Sequence, residues 1–452
     1  MSDTIYALAS GQGRAGVALV RISGPHAEAA LSALTSGANM TPRVAKLVRL
    51  VHPHSGETLD DALVLWFAAP ASFTGEDVAE LHIHGGPAVI DGVLGALSGI
   101  DGLRLAEPGE FTRRAFSNGK LDLTQVEGLA DLIEAETEAQ RRQALRQSEG
   151  ELGRLYDGWR ERLVRALAHF EAELDFSDEE LPEHLHAEVL IQVRDLHGQV
   201  KAHLADGRRG ERLRDGIRLA IVGPPNAGKS SLMNVLARRE AAIVSPQAGT
   251  TRDVVEVHLN LAGYPLLVAD TAGLRTSGDA IEAEGVRRAK AWAEDADLKL
   301  ALFDGEGLPH FDAETQGLLD AQTIVAVNKL DTLDAALHDI PETIDGFPVL
   351  ALSVKSGAGL DDLLDQLTVR VAERCHAASE GPAPTRARHR ESLQRTEQAL
   401  ARFLARDNVS QAGAELEAED LRLAARELGR ITGRVDVEDL LDVIFRDFCI
   451  GK

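Results

Sequence analysis

The pattern of apolar and polar positions changes along the chain and separates it into segments. In residues 1–118, short runs that alternate in the manner of strands are interleaved with runs of helical period. The predicted strands are TIYALAS, VALVRIS, DALVLWF and DVAELHIH, and the predicted helices are HAEAALSALTS and AVIDGVLGALS. This mixture predicts an α+β domain over residues 1–118.

Residues 119–212 follow a helical period. Apolar side chains recur at spacings of three and four residues, at Leu152, Leu155, Trp159, Leu163, Leu167, Phe170 and Leu174. This stripe predicts one apolar face of a long helix, packed in a helical bundle and broken near DFSDEELPEH. A second helical block is predicted over residues 376–452, and the segment EGPAPTR marks its boundary by its Pro and Gly content.

The segment between the two helical blocks, residues 213–375, has the pattern of an α/β domain. Its short apolar runs are IRLAIVG, PLLVADTAG, LKLALF, TIVAVNK and PVLALS, and helical patterns separate them. Such an order predicts a mostly parallel sheet. We therefore predict an α/β domain that is inserted into a helical domain built by both flanks.

Composition is typical of a globular protein of about three domains. The chain has 452 residues, of which 44% are hydrophobic, and its two cysteines exclude a disulfide framework and suit a reducing compartment. The N-terminus lacks a signal-peptide pattern, and no apolar run approaches ~18 residues. We therefore expect a cytoplasmic protein without a membrane span.

The charge balance limits the kinds of nucleic-acid binding that are plausible. A net charge of −24 argues against nonspecific binding, which requires neutralisation of phosphates. Two local basic segments, GRRGERLRDGIR and TRARHRESLQR, are interpreted as solvated helix faces. The charge excludes a histone-like protein, but it is compatible with a tRNA enzyme that has one basic surface.

A phosphate-binding motif follows the first predicted strand of residues 213–375. GPPNAGKSS fits the pattern G-x-x-x-x-G-K-[ST], with a strand before it and a helical run after it. Gly223 and Gly228 allow backbone N–H groups to approach phosphate oxygens, and the helix N-terminus adds partial positive charge. Lys229 would contact the β- and γ-phosphates, and the Ser230 hydroxyl would bind Mg²⁺.

Two further motifs identify the nucleotide as GTP. In DTAG, Asp270 would hold Mg²⁺ through water, and the Gly273 N–H would meet the γ-phosphate. In NKLD, Asp331 presents two carboxylate oxygens to the N1–H and 2-amino donors of guanine, a donor pair that adenine lacks. Asn328 and Lys329 would brace the base and the phosphate loop, and SVKSGAG is the predicted loop behind the base.

These motifs leave open which residue orients the hydrolytic water. Leu274 follows DTAG, where Ras-like GTPases have a water-positioning Gln, and a leucine cannot orient water. The remaining candidates are Thr251 in GTTRD and the acids Asp279, Glu282 and Glu284. The residues alone do not choose among them.

The motifs together resemble the tRNA-modification GTPase MnmE family, also called TrmE, over essentially the whole chain. The marks are DTIYALAS and GVALVRISGP, FTGEDVAELHIHGGP, PGEFTRRAF and NGKLDLTQVEGLADLI, DFSDEE, GTTRD, DTAGLR and the closing FCIGK. The resemblance implies an N-terminal α+β tetrahydrofolate-binding and dimerisation domain, a split all-α helical bundle and an inserted Ras-like P-loop α/β G domain. The implied boundaries are 1–118, then 119–212 with 376–452 for the split bundle, and 213–375.

The resemblance also implies a GTPase activated by K⁺, whose G domains pair across a homodimer. The ion supplies the positive charge that an arginine finger gives in other GTPases. The implied ligands are Asn226, Ser245, Gln247 and Thr250, and the family often has Thr in place of Ser245. Glu282 aligns with the water-orienting glutamate of the family, so the resemblance selects it as a catalytic residue.

The complete predicted nucleotide site combines the residue-based and the family-based assignments. The GTP contacts are Asn226, Ala227, Gly228, Lys229, Ser230, Ser231, Ser245, Thr250, Thr251, Asp270, Thr271, Ala272, Gly273, Asn328, Lys329, Asp331 and Ser353. The magnesium set is Ser230, Thr251 and, through water, Asp270. The catalytic set is Glu282, Thr251 and Lys229, with Cys449 as a separate candidate in the tail.

A reduced-folate site is implied only by the resemblance. Its residues would be Arg21, Glu80, Lys120 and Lys452, because a carboxylate suits the donor edge of a reduced pterin and cations suit the carboxylate tail. In the family the FCIGK tail reaches this site, which makes Cys449 a candidate nucleophile. The alternative is a tail that docks only for structure.

The predicted function is that of a GTP-hydrolysing subunit that modifies tRNA. With a FAD-dependent partner of the MnmG (GidA) type, in a heterotetramer or larger complex, it would install an aminomethyl or carboxymethylaminomethyl group at C5 of the wobble uridine. A 5-formyl- or methylene-tetrahydrofolate would supply the one-carbon unit. The rival prediction is a switch-type GTPase of ribosome assembly, which has no use for a reduced folate.

Overall fold

The computed structural model describes most of the chain. The described residues are 3–175, 185–239, 256–270, 292, 294–333, 340–375, 381–406, 411–435, 438–446, 448 and 450–451. The chain divides into two compact units. Unit 1 comprises Met1–Ala130, Gln147–Val164 and Ala425–Lys452, and unit 2 comprises Asp131–Arg146 and Arg165–Ala424.

Unit 1 contains a six-stranded sheet, and three helices lie between its strands or directly after them in the sequence. The strands are β1 (Thr4–Leu8), β2 (Ala15–Ser23), β3 (Lys46–Val51), β4 (Thr58–Phe67), β5 (Val78–Gly85) and β6 (Leu103–Leu105), in the spatial order β3-β4-β5-β2-β1-β6. The helices are α1 (Ala27–Leu34), α2 (Pro87–Ser98) and α3 (Glu110–Ser117). The four strands and two helices that the sequence predicts here are confirmed, and β3, β6 and α3 are additional elements.

Strand β5 shows why this sheet has one buried face and one open face. Ala79, Leu81 and Ile83 are at most 1% exposed and belong to a core that also contains apolar residues of α1 and α2. The alternate residues Glu80 and His82 are half-buried and point to the opposite face, because side chains alternate along a strand. The polar residues of β5 therefore share the open face.

Five helices follow this sheet in the sequence. They are α4 (Leu123–Glu134), α5 (Glu138–Ser148), α6 (Glu151–Asp175), α7 (Leu185–Leu204) and α8 (Arg209–Asp215). The predicted apolar stripe lies on α6, where Leu152, Trp159, Leu163 and Phe170 are buried. Leu155 and Leu167 are half-buried, and the side chain of Leu174 lies outside the described part. Helix α6 is described up to Asp175, the first residue of DFSDEELPEH; the rest of that segment lies outside the described residues, and the predicted break there stays a prediction.

Unit 2 contains a seven-stranded sheet with the order β12-β13-β11-β10-β7-β9-β8. The strands are β7 (Ile217–Val222), β8 (Glu256–Leu261), β9 (Tyr264–Asp270), β10 (Leu298–Asp304), β11 (Thr323–Asn328), β12 (Thr343–Ile344) and β13 (Phe347–Ala351). The helices among them are α9 (Lys229–Arg239), α10 (Ala313–Gln316) and α11 (Leu360–Cys375). Only the edge strands β8 and β12 are antiparallel, so the five predicted strands and the mostly parallel sheet are confirmed.

The last helices of the chain are α12 (Ala387–Ala405), α13 (Gln411–Thr432) and α14 (Glu438–Arg446). Helix α12 begins directly after EGPAPTR, where the sequence predicts the second helical block. Within the ranges given above, no helix is both long enough and apolar enough to cross a membrane.

The carboxylate of Asp131 contacts one arginine that precedes the seven-stranded sheet in the sequence and one that follows it. Asp131 Oδ1 accepts a hydrogen bond from Arg214 Nε at 3.0 Å and another from Arg386 Nη2 at 2.6 Å. Arg214 lies just before β7, and Arg386 lies just before α12. Charge-assisted hydrogen bonds of this kind are strong and directional. Asp131 therefore holds the segment before β7 and the segment before α12 at one point of unit 2.

Candidate functional site

The parallel strands of unit 2 place four sequence motifs at one edge of the sheet. The register pairs Ile221 with Asp270 and Asp304 with Asn328, so the carboxyl ends of β7, β9, β10 and β11 lie side by side. GPPNAGKSS follows β7, DTAG starts at the last residue of β9, NKLD starts at the last residue of β11, and SVKSGAG follows β13. Ligands of open α/β sheets bind at this edge.

The two glycines of the phosphate loop lie very close to neighbouring atoms, one of the backbone and one of a side chain. Gly223 has φ +154°, and a Cβ at that position would lie 2.2 Å from the carbonyl oxygen of Leu302. Gly228 has φ +99°, and its Cβ would lie 2.3 Å from Asn328 Nδ2. Both positions therefore require glycine for reasons of space as well as backbone conformation.

Lys229 lies across this loop at the start of α9. Its side chain is buried, and its Nζ donates hydrogen bonds to the carbonyl oxygens of Gly223 at 2.7 Å and Pro224 at 2.8 Å. Lys229 is also the first residue of α9, and the first N–H groups of a helix carry partial positive charge. A loop with these donors and this cation is suited to bind phosphate groups.

Asn328 connects the phosphate loop with the loop after β13. Its side chain is 3% exposed; Nδ2 donates to the Ala227 carbonyl at 2.7 Å, and Oδ1 accepts from the Val354 N–H at 3.0 Å. Both polar atoms of the amide are therefore used in positioning backbone. Asn328 keeps the phosphate loop and the base-side loop in a fixed relation.

Asp331 is held in place as a charged acceptor. Its Oδ1 accepts from Ser353 Oγ at 2.6 Å, and its Oδ2 lies 3.4 Å from Lys355 Nζ. The hydrogen bond from Ser353 is the main cause that lowers the pKa of Asp331 below its usual value, and Lys355 adds to it. The carboxylate is thus ionised at neutral pH, with lone pairs left to accept two donors of a purine edge.

Two acids near this edge were missed from the sequence. Lys329 Nζ donates to Asp304 Oδ2 at 2.6 Å and to Glu306 Oε2 at 3.3 Å, and these contacts, led by the hydrogen bond to Asp304, raise its pKa. Lys329 has φ +70°, so its backbone is in the left-handed region. The position of Asp304 at the end of strand LKLALFD was a signal for it, because the other motifs also begin at strand ends.

Some predicted residues of the nucleotide site have partial descriptions. Asn226 is exposed with φ +66°, a conformation that Asn tolerates better than most residues. Ser230 and Ser231 are exposed on the first turn of α9, and Ser353 is fully buried. Only the backbone of Asp270 is described. No group of three or more His, Cys, Asp or Glu that could hold a metal ion occurs among the residues searched, which are the described ones.

Other predicted site residues lie outside the described residues. In the segments around GTTRD and after Asp270 they are Ser245, Gln247, Thr250, Thr251, Thr271, Ala272, Gly273 and Glu282, and in the tail they are Cys449 and Lys452. Their assignments stay predictions.

A second cluster lies on the open face of the sheet in unit 1. Arg21 on β2 and Glu80 on β5 are directly opposite each other, and Arg21 Nε and Nη2 lie 3.0 and 2.8 Å from Glu80 Oε1. The guanidinium of Arg21 also stacks over the rings of Phe73 at 5.5 Å and Phe111 at 5.7 Å. The ion pair is therefore held in one geometry by two strands and two aromatic rings.

Lys120 and the C-terminal tail each contact other residues of unit 1. Lys120 Nζ donates to the Pro70 carbonyl at 3.0 Å, in the loop that also contains Phe73. In the tail, Ile450 forms an isolated bridge with Pro108. Gly451 packs so closely on β1 that a Cβ would lie 2.1 Å from the Leu8 carbonyl oxygen. The end of the chain is therefore docked beside β1, the strand that pairs with the strand of Arg21.

Two family models match the chain. The model described as the GTP-binding protein TrmE N-terminus matches residues 4–120, and the model described as the MnmE helical domain matches residues 123–449. Together they extend over both compact units.

Curated relatives match the chain from end to end. The tRNA modification GTPase MnmE of Paramagnetospirillum magneticum is 57% identical over 452 residues, which is 100% of either chain. The mitochondrial 5-taurinomethyluridine-[tRNA] synthase subunit GTPB3 of Homo sapiens is 50% identical over 469 residues and covers 99% of this chain and 93% of its own. Among solved structures, Era of Aquifex aeolicus bound to GDP and AlF4⁻ is 26% identical over 42% of this chain and 68% of its own, with a TM-score of 0.29.

Proposed function

Because the chain belongs to the MnmE family and is a GTPase of tRNA modification, we propose that it couples GTP hydrolysis to modification of C5 of the wobble uridine, position 34, in certain tRNAs. The group added would be aminomethyl or carboxymethylaminomethyl. The observation that carries this proposal is the arrangement at one sheet edge of the phosphate loop, Asn328 and the ionised Asp331. The proposed domains are residues 1–118, the split helical bundle of 119–212 and 376–452, and the G domain of 213–375.

In the nucleotide site, the residues of this chain would bind and orient GTP. Asp331 would accept hydrogen bonds from the N1–H and 2-amino donors of guanine. Lys229 Nζ would give up its hydrogen bonds to two loop carbonyls and donate to the β- and γ-phosphates instead. Mg²⁺ would be held by Ser230, Thr251 and, through water, Asp270. Glu282 would orient the hydrolytic water, a role that Leu274 cannot perform.

A potassium ion would complete the charge at the phosphates. Its proposed ligands are Asn226, Ser245, Gln247 and Thr250. An exposed amide in the phosphate loop, as seen at Asn226, and loop hydroxyls and carbonyls are oxygen donors that suit a large monovalent cation. The ion would supply positive charge where negative charge develops during phosphoryl transfer.

We expect GTP hydrolysis to be faster in KCl than in NaCl by roughly tenfold or more, because a charge placed at the transferring phosphoryl group is worth this much or more. Asn226→Ala should abolish the difference, whereas Asn234→Ala, which changes an exposed amide on α9, should keep it.

Glu282→Ala should slow hydrolysis in KCl by roughly 10²-fold with unchanged GTP affinity. Phosphate release under single-turnover conditions measures all three, and equal rates in the two salts would remove the potassium assignment.

A reduced folate, as the 5-formyl or methylene form, is the proposed one-carbon donor. Glu80 would accept from the donor edge of its pterin, and Lys120 and Lys452 would contact its carboxylate tail. The paired geometry of Arg21 and Glu80 and the docked tail at β1 support this site. Cys449 is proposed as a nucleophile in the uridine chemistry, with structural docking of the tail as the alternative.

The proposed assembly is a homodimer that works with a FAD-dependent partner of the MnmG type in a heterotetramer or larger complex. The open face of the unit 1 sheet supports the homodimer, because Leu47 and Leu63 are directly opposite each other on it and are 71% and 41% exposed. Light scattering of the purified chain that gave the mass of one copy would contradict this assembly.

The tRNA reaction is tested in cells whose only copy of the gene carries Lys229→Ala. Since Lys229 spans the phosphate loop, the variant should lose GTP hydrolysis, and mass spectrometry of tRNA nucleosides should show loss of the wobble modification. Lys201→Ala, which removes an exposed lysine of α7, should keep it. Unchanged tRNA nucleosides together with incomplete ribosomal subunits would instead support the rival ribosome-assembly function.

A further inference from the structure

One ring nitrogen on the open face of the unit 1 sheet is buried without a hydrogen bond. His82 Nε2 has no hydrogen-bond partner among the described residues, although its atom surface is closed to solvent. Its charged neighbour is Glu80 Oε2, which at 3.9 Å is too far for a hydrogen bond. A buried polar atom without a partner costs free energy, so its presence requires an explanation.

The two oxygens of Glu80 are used differently. Oε1 receives both contacts from Arg21, whereas no described residue donates a hydrogen bond to Oε2. Glu80 Oε2 and His82 Nε2 therefore form an adjacent pair of unused polar atoms on one strand. Because the carboxylate is negative, it favours the tautomer in which Nε2 carries the proton and acts as a donor.

The strands hold the backbone of Glu80 and His82 in a fixed position. His82 is directly opposite Leu63 on β4 and Leu19 on β2, and Glu80 is directly opposite Arg21. Sites built on strands are more precise than sites built on loops, because the backbone on both sides is hydrogen-bonded. The leucine side chains opposite His82 are apolar, and no described residue is a hydrogen-bond partner of its Nε2.

We propose that His82 is a binding residue of the site formed by Arg21 and Glu80, and that a rotation of its side chain, which is 32% exposed, lets Nε2–H donate to the 4-oxo group of a reduced pterin. The inference rests on the proposed function, because the ligand is the reduced folate named there. A reduced pterin presents the 2-amino group, N3–H and the 4-oxo oxygen along one edge. Glu80 Oε2 accepts from the donors of that edge, and His82 donates to the oxygen beside them.

The two contacts give different kinds of selectivity. A carboxylate alone accepts from any amidine-like edge, whether the neighbouring substituent is an oxo or an amino group. A donor at His82 rejects a 4-amino group, because two donors would then face each other. His82 is therefore the residue that distinguishes a folate from its 4-amino-4-deoxy analogue.

The test is calorimetric binding of 5-formyl-tetrahydrofolate and of its 4-amino-4-deoxy analogue to the full-length chain. The wild type should prefer the folate by about tenfold, the value of one hydrogen bond to an otherwise unpaired buried donor. His82→Leu fits between Leu19 and Leu63 and should lose that preference, with about tenfold weaker folate binding. His82→Gln, which keeps an amide near the Nε2 position, should retain most of both.

The matched control is His84→Leu, since His84 lies two residues along β5 and is 71% exposed in its side chain. Its folate affinity should equal that of the wild type, and thermal unfolding should show that every variant is folded. If the wild type binds the folate and His82→Leu keeps the preference, or if His82→Gln loses as much as His82→Leu, the hydrogen-bonding role of His82 is wrong. If the wild type does not bind the folate, the folate part of the proposed function fails, and the role of His82 fails with it.

Discussion

Asp331→Asn is expected to weaken GTP binding by roughly 10²- to 10³-fold and to create binding of xanthosine triphosphate. Two hydrogen bonds to a charged acceptor are each worth about 1.5–3 kcal/mol, and 1.4 kcal/mol is tenfold in affinity. Asparagine keeps one acceptor but turns the other into a donor, which opposes the 2-amino group of guanine. Xanthine has a carbonyl at that position, so the new donor would be paired.

The measurement is competition of GTP and xanthosine triphosphate against a fluorescent nucleotide on the purified chain. Asp362→Asn is the control, because Asp362 is exposed on the first turn of α11 and the same chemical change there should leave both affinities within about twofold. Ser353 Oγ can still donate to the asparagine oxygen, so the variant should remain folded. Unchanged GTP affinity in Asp331→Asn would show that this carboxylate does not read the base.

The same site shows how far local sequence patterns determine structure. The phosphate loop was predictable because strand, glycines and helix are consecutive in the chain, and each element carries its own signal. Strands such as β10 and β11 were predictable because their residues are mostly apolar and nearly all buried. These features depend on neighbours within a few residues.

Asp304 and Asp131 could not be assigned in this way. In the sequence, Asp304 is only an acidic residue at the end of an apolar run. Its role depends on the strand register, which places it beside Asn328 and Lys329. Asp131 reads as a solvated helix residue, yet its two partners, Arg214 and Arg386, lie 83 and 255 residues away in the sequence. An acidic side chain becomes structural only through partners that the tertiary fold brings to it.

On the open face of unit 1, the family resemblance named Arg21 and Glu80, but their pairing and the place of His82 beside them were missed. Period-two alternation predicts that Glu80 and His82 share a face, but it does not say which of them pairs with another strand. The pairing of Arg21 with Glu80 depends on the register of β2 against β5. Only that register reveals that His82 Nε2 lacks a described partner.

The tail gives the second large expected effect, which separates tRNA modification from GTP hydrolysis. Gly451 has φ +99°, and a Cβ would lie 2.1 Å from the Leu8 carbonyl oxygen and 2.9 Å from Ala9 Cα. Neither backbone can yield by a side-chain rotation, so Gly451→Ala must displace the end of the tail from β1. The proposed roles of Cys449 and Lys452 depend on this docking.

We expect cells whose only copy carries Gly451→Ala to lose the wobble modification, whereas the purified variant hydrolyses GTP at the wild-type rate. Gly56→Ala is the matched control: Gly56 has φ +71° with nothing within 4 Å of its Cβ, so it adds backbone strain without a clash. Nucleoside mass spectrometry and a GTPase assay measure the two outcomes. If Cys449→Ser also loses the wobble modification, the thiol takes part in the chemistry. If Cys449→Ser keeps the modification, the tail is required for its docked backbone and for Lys452. If Gly451→Ala retains the modification, docking of the tail at β1 is not required for the reaction, and the proposed extension of the folate site to the end of the chain is wrong.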